Sequence, residues 1–200
     1  MNSRLEIIMG CMFSGKSTEL IRRLKRYKAI CYNVLVINSA KDTRSPEQVL
    51  KTHDGVKFNC IKTERLLDIY SNENFRTAAI IGIDEGQFFP DLYEFVKHAL
   101  NLNKHIIVAS LDGDSNQQMF GQTLSLIPLA DDVDKLKAYC MECNNGTLAP
   151  FTKRIVKEGN QELVGSNEYY SAVCRMHLID PIDLLIHDVV EDIFNEKLKE

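Results

Sequence analysis

No apolar run in the 200-residue sequence approaches the roughly eighteen residues needed to cross a bilayer, which argues against a membrane-spanning helix. Positive charge is not in surplus either: 24 Lys and Arg face 28 Asp and Glu, a formal net charge of −4. The chain therefore offers no general electrostatic footprint for nucleic acid or an anionic membrane, and a small anionic ligand is favoured over both. Repeats and low-complexity tracts are missing, so organisation has to be read from hydrophobic periodicity. The N-terminus reads as entering a core strand directly, without a signal peptide, and a cytoplasmic location is expected. In that compartment six cysteines are thiols or metal ligands rather than disulfides. At 44% apolar and 26% charged, the chain has the composition of a globular protein able to bury a good core.

What is present begins with "IIMGCMFSGKST", residues 7–18. Gly10 and Gly15 frame the spacing G-x-x-x-x-G-K-S, which ends in Lys16 and Ser17. A polyphosphate needs several backbone N–H groups pointing inward at once, and glycine permits the tight turns this requires. A helix N-terminus adds unpaired donors and partial positive charge. Lys16 is placed to reach the β- and γ-phosphates and the Ser17 hydroxyl to ligate Mg²⁺. Context agrees: Leu5 to Met9 reads as a buried strand, and Thr18 to Ile30 carries helical apolar spacing at Leu20, Ile21, Leu24 and Tyr27.

Further along, strands are expected at 33–40, 77–85 and 104–114, and helices at 63–70 and 90–102, with a polar loop between residues 41 and 55. Alternating strands and helices, the strands apolar on both faces, imply a parallel sheet covered on each side. From about Lys137 the segments become short and irregular, which places a boundary near Leu136. Residues 181–200 repeat apolar side chains at Ile182, Leu185, Ile186, Val189, Val190 and Ile193, the pattern of an amphipathic helical extension.

The third of these strands ends in "IIGIDEGQFF", so Asp84 and Glu85 should emerge at the carboxyl end of the sheet, where open α/β folds bind ligands. Asp84 suits a magnesium contact, direct or through water, and Glu85 can accept a proton from an attacking hydroxyl or align it. Phosphoryl transfer also profits from a cation near the developing charge; Arg44 is a candidate, with Asp42 beside it as a magnesium or water ligand. Cys11, Cys31 and Cys60 are scattered and read as packed apolar residues. The remaining three belong to "CMEC" and "CRMH": Cys140 and Cys143, then Cys174 and His177, with 30 residues between the pairs. Two such knuckles supply a tetrahedral S₃N set for a structural Zn²⁺ that leaves no open coordination position.

Together "MFSGKST", "IDEGQFFPD" (residues 83–91), "THD" (52–54), "LDGD" (111–114), "IPLAD" (127–131), "CMEC", "FTKR" (151–154) and "YYSAVCR" (169–175) resemble the type II thymidine kinases, the cytosolic and poxviral-type nucleoside kinases. That resemblance covers nearly the whole chain up to about His177. It implies a RecA-like P-loop α/β domain over 1–136 with helices on both faces of a parallel sheet, a small zinc-ribbon lasso domain over 137–180, and an extension over 181–200. The implied activity moves the γ-phosphate of ATP to the 5′-hydroxyl of thymidine, with Mg²⁺, in a homotetramer subject to feedback by dTTP.

By the same resemblance Glu85 is the catalytic base. Gly10, Cys11, Met12, Phe13, Ser14, Gly15, Lys16, Ser17, Asp42, Thr43, Arg44, Asp84, Gly86 and Gln87 serve ATP and its phosphates, the segment 42–44 closing on them. Met12, Phe88, Leu111, Ser115, Phe120 and Thr152 fall where the family lines its nucleoside pocket. Tyr170 matches the lasso tyrosine, and Gln161, Glu162, Leu163, Val164 and Gly165 match the stretch whose backbone grips the base. Ser115 stands where the family carries an aromatic, Ser166 where a second glycine is common, and Cys11 where proline is usual. The competing readings are a RecA-like zinc-ribbon ATPase that binds nucleic acid and a nucleoside kinase of altered base specificity.

Overall fold

The computed structural model describes residues 2–43, 48–51, 57–156, 161, 165 and 167–179. Four strands read from the sequence form the middle of a sheet: β1 (Arg4–Gly10), β2 (Val34–Ser39), then, after a small β3–β4 ribbon (Val49–Lys51 and Lys57–Asn59) and β5 (Ile61–Thr63), β6 (Ile80–Ile83) and β7 (His105–Leu111). With β8 (Asp132–Leu136) they make a six-stranded sheet in the order β5-β2-β6-β7-β1-β8. Every pairing within it is parallel.

Alternation along the strands divides the core in two, because successive side chains point to opposite faces. Leu5, Ile7 and Met9 join Ile81, Ile83, Ile106 and Val108 on one face, under α2 (Glu73–Thr77), α3 (Leu92–Asn101) and a 3-10 turn over Leu66–Ser71. Ile8, Val36, Ile80, Ile107 and Ala109 occupy the other, under α1 (Lys16–Ala29), whose Leu20, Ile21 and Leu24 are buried. Glu19 in the first turn of α1 and Arg26 and Lys28 in its last complement the helix dipole.

Three expectations shift. The helix anticipated over 63–70 is a 3-10 helix over Leu66–Ser71 that begins after β5 ends at Thr63, with Asp91 capping it by accepting from Leu66 N and Leu67 N. β8 joins the sheet without an apolar signature: "DVDKL" is mostly exposed, being an edge strand held by backbone pairing to β1. Cys31 is exposed rather than packed; it closes α1 in a left-handed turn, φ 64°, with its N–H donating to Lys28 O.

After Leu136 the chain leaves the sheet. Strands β9 (Ala138–Tyr139) and β10 (Leu148–Ala149) pair antiparallel, as do β11 (Phe151–Arg154) and β12 (Tyr170–Val173), and α4 (Arg175–Leu178) follows. A third apolar cluster of Cys11, Cys140, Ala149, Ala172, Val173 and Cys174 joins these hairpins to the loop after β1. The expected extension over 181–200 lies outside the described residues. Among those described, no helix is long and apolar enough to cross a membrane.

Candidate active site

In the sheet order only β7 separates β1 from β6, so the loop after β1 and the acids after β6 leave the same edge about 10 Å apart. Loop 10–15 turns sharply at Gly10, φ 151°, where any Cβ would stand 2.4 Å from Leu136 O. Phe13 adopts a left-handed φ of 63°. Two donors converge on the Cys11 carbonyl: Ser14 Oγ at 2.8 Å and Lys16 Nζ at 2.7 Å. Burial pushes the Lys16 ammonium below its ordinary value, while Glu85, Cys11 and Asp84 pull it back up.

Asp84 is buried and continues the β6 ladder, its N–H donating to Ile37 O at 2.9 Å. Across the gap, Ser17 Oγ on the first turn of α1 donates to Asp84 Oδ2 at 2.8 Å. A hydroxyl and a carboxylate at this separation are the oxygen donors a magnesium ion takes up. Glu85 follows in the left-handed region, φ 54° and ψ 42°, a conformation costing a non-glycine residue about 1 kcal/mol. Asp42 is buried beside this edge; its carboxylate accepts from Asn38 Nδ2 at 3.0 Å and its carbonyl from Lys62 Nζ at 2.6 Å. Thr43 is exposed, and Arg44 lies outside the described residues.

The structure treats two residues expected at the phosphates differently. The amide of Gln87 is spent inside the protein, on Glu85, Ser110 and Leu111, and the Cys11 thiol is fully buried, donating to Ala149 O at 3.1 Å. Gly86 is buried in the same turn. Next to Cys11, Met12 N donates to Thr152 Oγ1 at 2.9 Å, so the phosphate loop is tied to β11.

Beyond the acids, Phe88 and Phe120 meet edge to face with centroids 5.6 Å apart. Leu111 ends β7 and Ser115 is half-buried in the loop that follows. From the far side, Gln161 Nε2 reaches this loop, donating to Asp114 Oδ2 at 2.7 Å and Met119 O at 3.3 Å. Tyr170 is buried, and its hydroxyl accepts from Arg154 Nη2 at 3.2 Å. Gly165 is half-buried; Glu162, Leu163 and Val164 lie outside the described residues. Sequence reasoning missed Ser110 and Thr123, ordinary polar residues with no local signal, and gave Arg154 no role beyond its place in "FTKR".

Cys140, Cys143, Cys174 and His177 bring their donor atoms within 4.8 Å of one another. The Cys143 and Cys174 sulfurs are 3.7 Å apart, and His177 Nδ1 lies 3.4 to 3.6 Å from the three sulfurs. A tetrahedral zinc with bonds of about 2.3 Å to sulfur and about 2.0 Å to nitrogen requires edges of about 3.8 and 3.5 Å, so the donor set fits that ion. Burial pushes the Cys140 thiol up, but N–H groups of Cys143 and Cys174 outweigh it and bring it down to about 6.

A glycine-framed loop and an acid pair meeting on the carboxyl edge of a parallel sheet define the class: a P-loop α/β protein. The sequence matches the family described as "Thymidine kinase" over residues 3–178, and the chain belongs to the thymidine kinase family. It is 48% identical over 179 residues to the thymidine kinase of Yaba monkey tumor virus (strain VR587), covering 88% of this chain and 96% of that one. To the cytosolic thymidine kinase of Bos taurus it is 44% identical over 173 residues, 86% of this chain and 71% of the other. To that of vaccinia virus (strain Western Reserve) the figures are 43% over 176 residues, 88% and 97%. Domain III of the Thermotoga maritima replication initiation protein DnaA overlays 67% of this chain and 55% of its own at a TM-score of 0.41 and 20% identity, too loosely to bear on the site.

Proposed function

We propose that this chain phosphorylates thymidine, moving the γ-phosphate of ATP to the 5′-hydroxyl. The observation that carries the reading is the Ser17–Asp84 contact, which ties the phosphate loop to the acid pair in one site. Gly10 to Gly15 wrap the phosphates with backbone N–H groups, and Lys16 leaves the Cys11 carbonyl to pair with the β- and γ-phosphates. Ser17 and Asp84 hold Mg²⁺, which when bound screens the phosphate charge. Glu85 takes the 5′-hydroxyl proton as the new oxygen–phosphorus bond forms and the bond to the β,γ-bridging oxygen breaks, releasing ADP.

Phe88, Phe120, Leu111, Ser115, Met12, Thr152 and Tyr170 form the nucleoside side, which Gln161 approaches from the lasso through Asp114 and Met119. Residues 1–136 act as the nucleotide-binding domain and 137–180 as the lasso domain. Zn²⁺ at Cys140, Cys143, Cys174 and His177 is structural, since three thiolates and an imidazole complete its shell. A cytoplasmic homotetramer inhibited by dTTP completes the reading; relatives named cytosolic support its location.

Radiolabelled thymidine, ATP and Mg²⁺ test it, with deoxyuridine and deoxycytidine in parallel. The Glu85→Gln variant should lose about 10²- to 10⁴-fold in kcat. Thymidine monophosphate no more abundant than with that variant would overturn the assignment.

A further inference from the structure

The Gln87 side chain makes three protein contacts, and they span two functional segments. Its Oε1 accepts from Leu111 N at 3.0 Å and from Ser110 Oγ at 2.9 Å. A backbone N–H can only donate, so this end of the amide must be oxygen, which fixes the orientation of the whole group. The NH₂ end therefore faces the Glu85 carboxylate, donating to Oε2 at 2.6 Å. Ser110 spends its proton on Gln87, so Thr123 Oγ1, 2.6 Å away, is the donor in that pair. A chain of hydrogen bonds thus runs from Thr123 through Ser110 and Gln87 to Glu85, with all but Glu85 buried.

The backbone repeats the connection. At Gly121, φ 64°, a Cβ would stand 2.2 Å from Gln87 O, so the loop carrying Ser115 and Phe120 rests directly on Gln87. Leu111, bonded to the amide, is where that loop leaves β7. With only 3% of its surface exposed, Gln87 is closed to substrate.

We propose that Gln87 is a positioning residue whose amide, anchored by Ser110 and Leu111 at the start of the nucleoside loop, holds the Glu85 carboxylate in place. The proposal rests on Glu85 being the base. The amide gives this left-handed, half-buried glutamate a donor at 2.6 Å that directs its carboxylate. Misplacement of a reacting group by about 1 Å costs on the order of a hundredfold in rate.

A double-mutant cycle on the full-length protein tests this. Gln87→Met should lower kcat about a hundredfold while KM for ATP stays within about threefold; KM for thymidine is read on Gln87→Glu, which keeps the acceptor for Leu111 N. Gln87→Glu, which keeps the shape and the bonds from Ser110 and Leu111 but sets a second carboxyl against Glu85, so that the pair shares a proton and Glu85 is no longer a free base, should lose as much, and it serves if the Met variant does not fold. In a Glu85→Gln background neither change should lower kcat further, because Gln87 acts only through Glu85. Losses that multiply in that background, or equal losses in kcat and both KM values with a falling Tm, would mark a purely structural role and overturn the proposal. A Glu85→Gln protein of normal activity would instead remove the base assignment itself, whereas an inactive one beside fully active Gln87 variants would remove only this inference.

Discussion

Ser115 is the residue on which the proposed base recognition is tested. It sits half-buried in the loop after β7, and its side chain offers no ring face to a base. A stacking aromatic contributes about 1 kcal/mol, so Ser115→Phe should lower KM for thymidine about fivefold and leave KM for ATP unchanged in steady-state assays. Glu85 is the opposite case: its left-handed backbone is unfavourable for a side chain other than glycine's, and the Gln87 amide, donating to its carboxylate from the turn that follows, holds it there. Of these features the acid pair was legible in the sequence from its place after an apolar run. The roles of Gln87, Ser110 and Thr123 were not, because a buried amide between two hydroxyls has no local pattern.

At the scale of elements, the phosphate loop is not carried by β1 and α1 alone. Met12 N donates to Thr152 Oγ1 on β11 and Cys11 Sγ to Ala149 O at the end of β10, so the hairpins bearing the metal cluster also brace the loop. Thr152→Val keeps the shape but leaves the Met12 N–H without its acceptor. KM for ATP should rise about tenfold, corresponding to the 1 to 3 kcal/mol cost of an unmade bond of this kind, and initial-rate measurements over a range of ATP concentrations check it. The metal knuckles make a second element-level expectation. Cys143→Ser should abolish stoichiometric zinc, measured by elemental analysis, and lower the Tm, because metal binding supplies folding free energy to small lobes of this size. Periodicity made β1, β2, β6, β7, α1 and α3 readable. It could not reveal β8, whose "DVDKL" is polar and exposed and is ordered by pairing with β1.

At the scale of the molecule, the end of the sheet remote from the acids is closed by charge. Glu6 on β1 accepts from His105 Nε2 on β7 at 3.0 Å and from Arg23 Nη1 on α1 at 2.6 Å, and Arg23 reaches on to Glu19 and to Asp134 on β8. The hydrogen bond from His105, followed by that from Arg23, holds the Glu6 carboxyl down at about 2 despite its burial. A carboxyl depressed on folding stabilises above its unfolded value and loses that contribution as pH falls toward the folded one. Glu6→Gln should therefore destabilise by about 3 kcal/mol at pH 7, with the gap from the parent narrowing between about pH 5 and pH 2 in urea titrations. This network joins a helix and three strands that are distant in sequence, and only folding assembles it. By itself the sequence determined the phosphate loop, the acid pair, the four metal-type ligands and the parallel α/β class, because each depends on residue types at short spacing or on local periodicity. The tertiary structure decided which side chains meet: Ser17 with Asp84, Gln87 with Ser110 and Leu111, Thr152 with Met12. Those pairings depend on strand order and on the seating of remote loops, and sequence spacing holds no record of either.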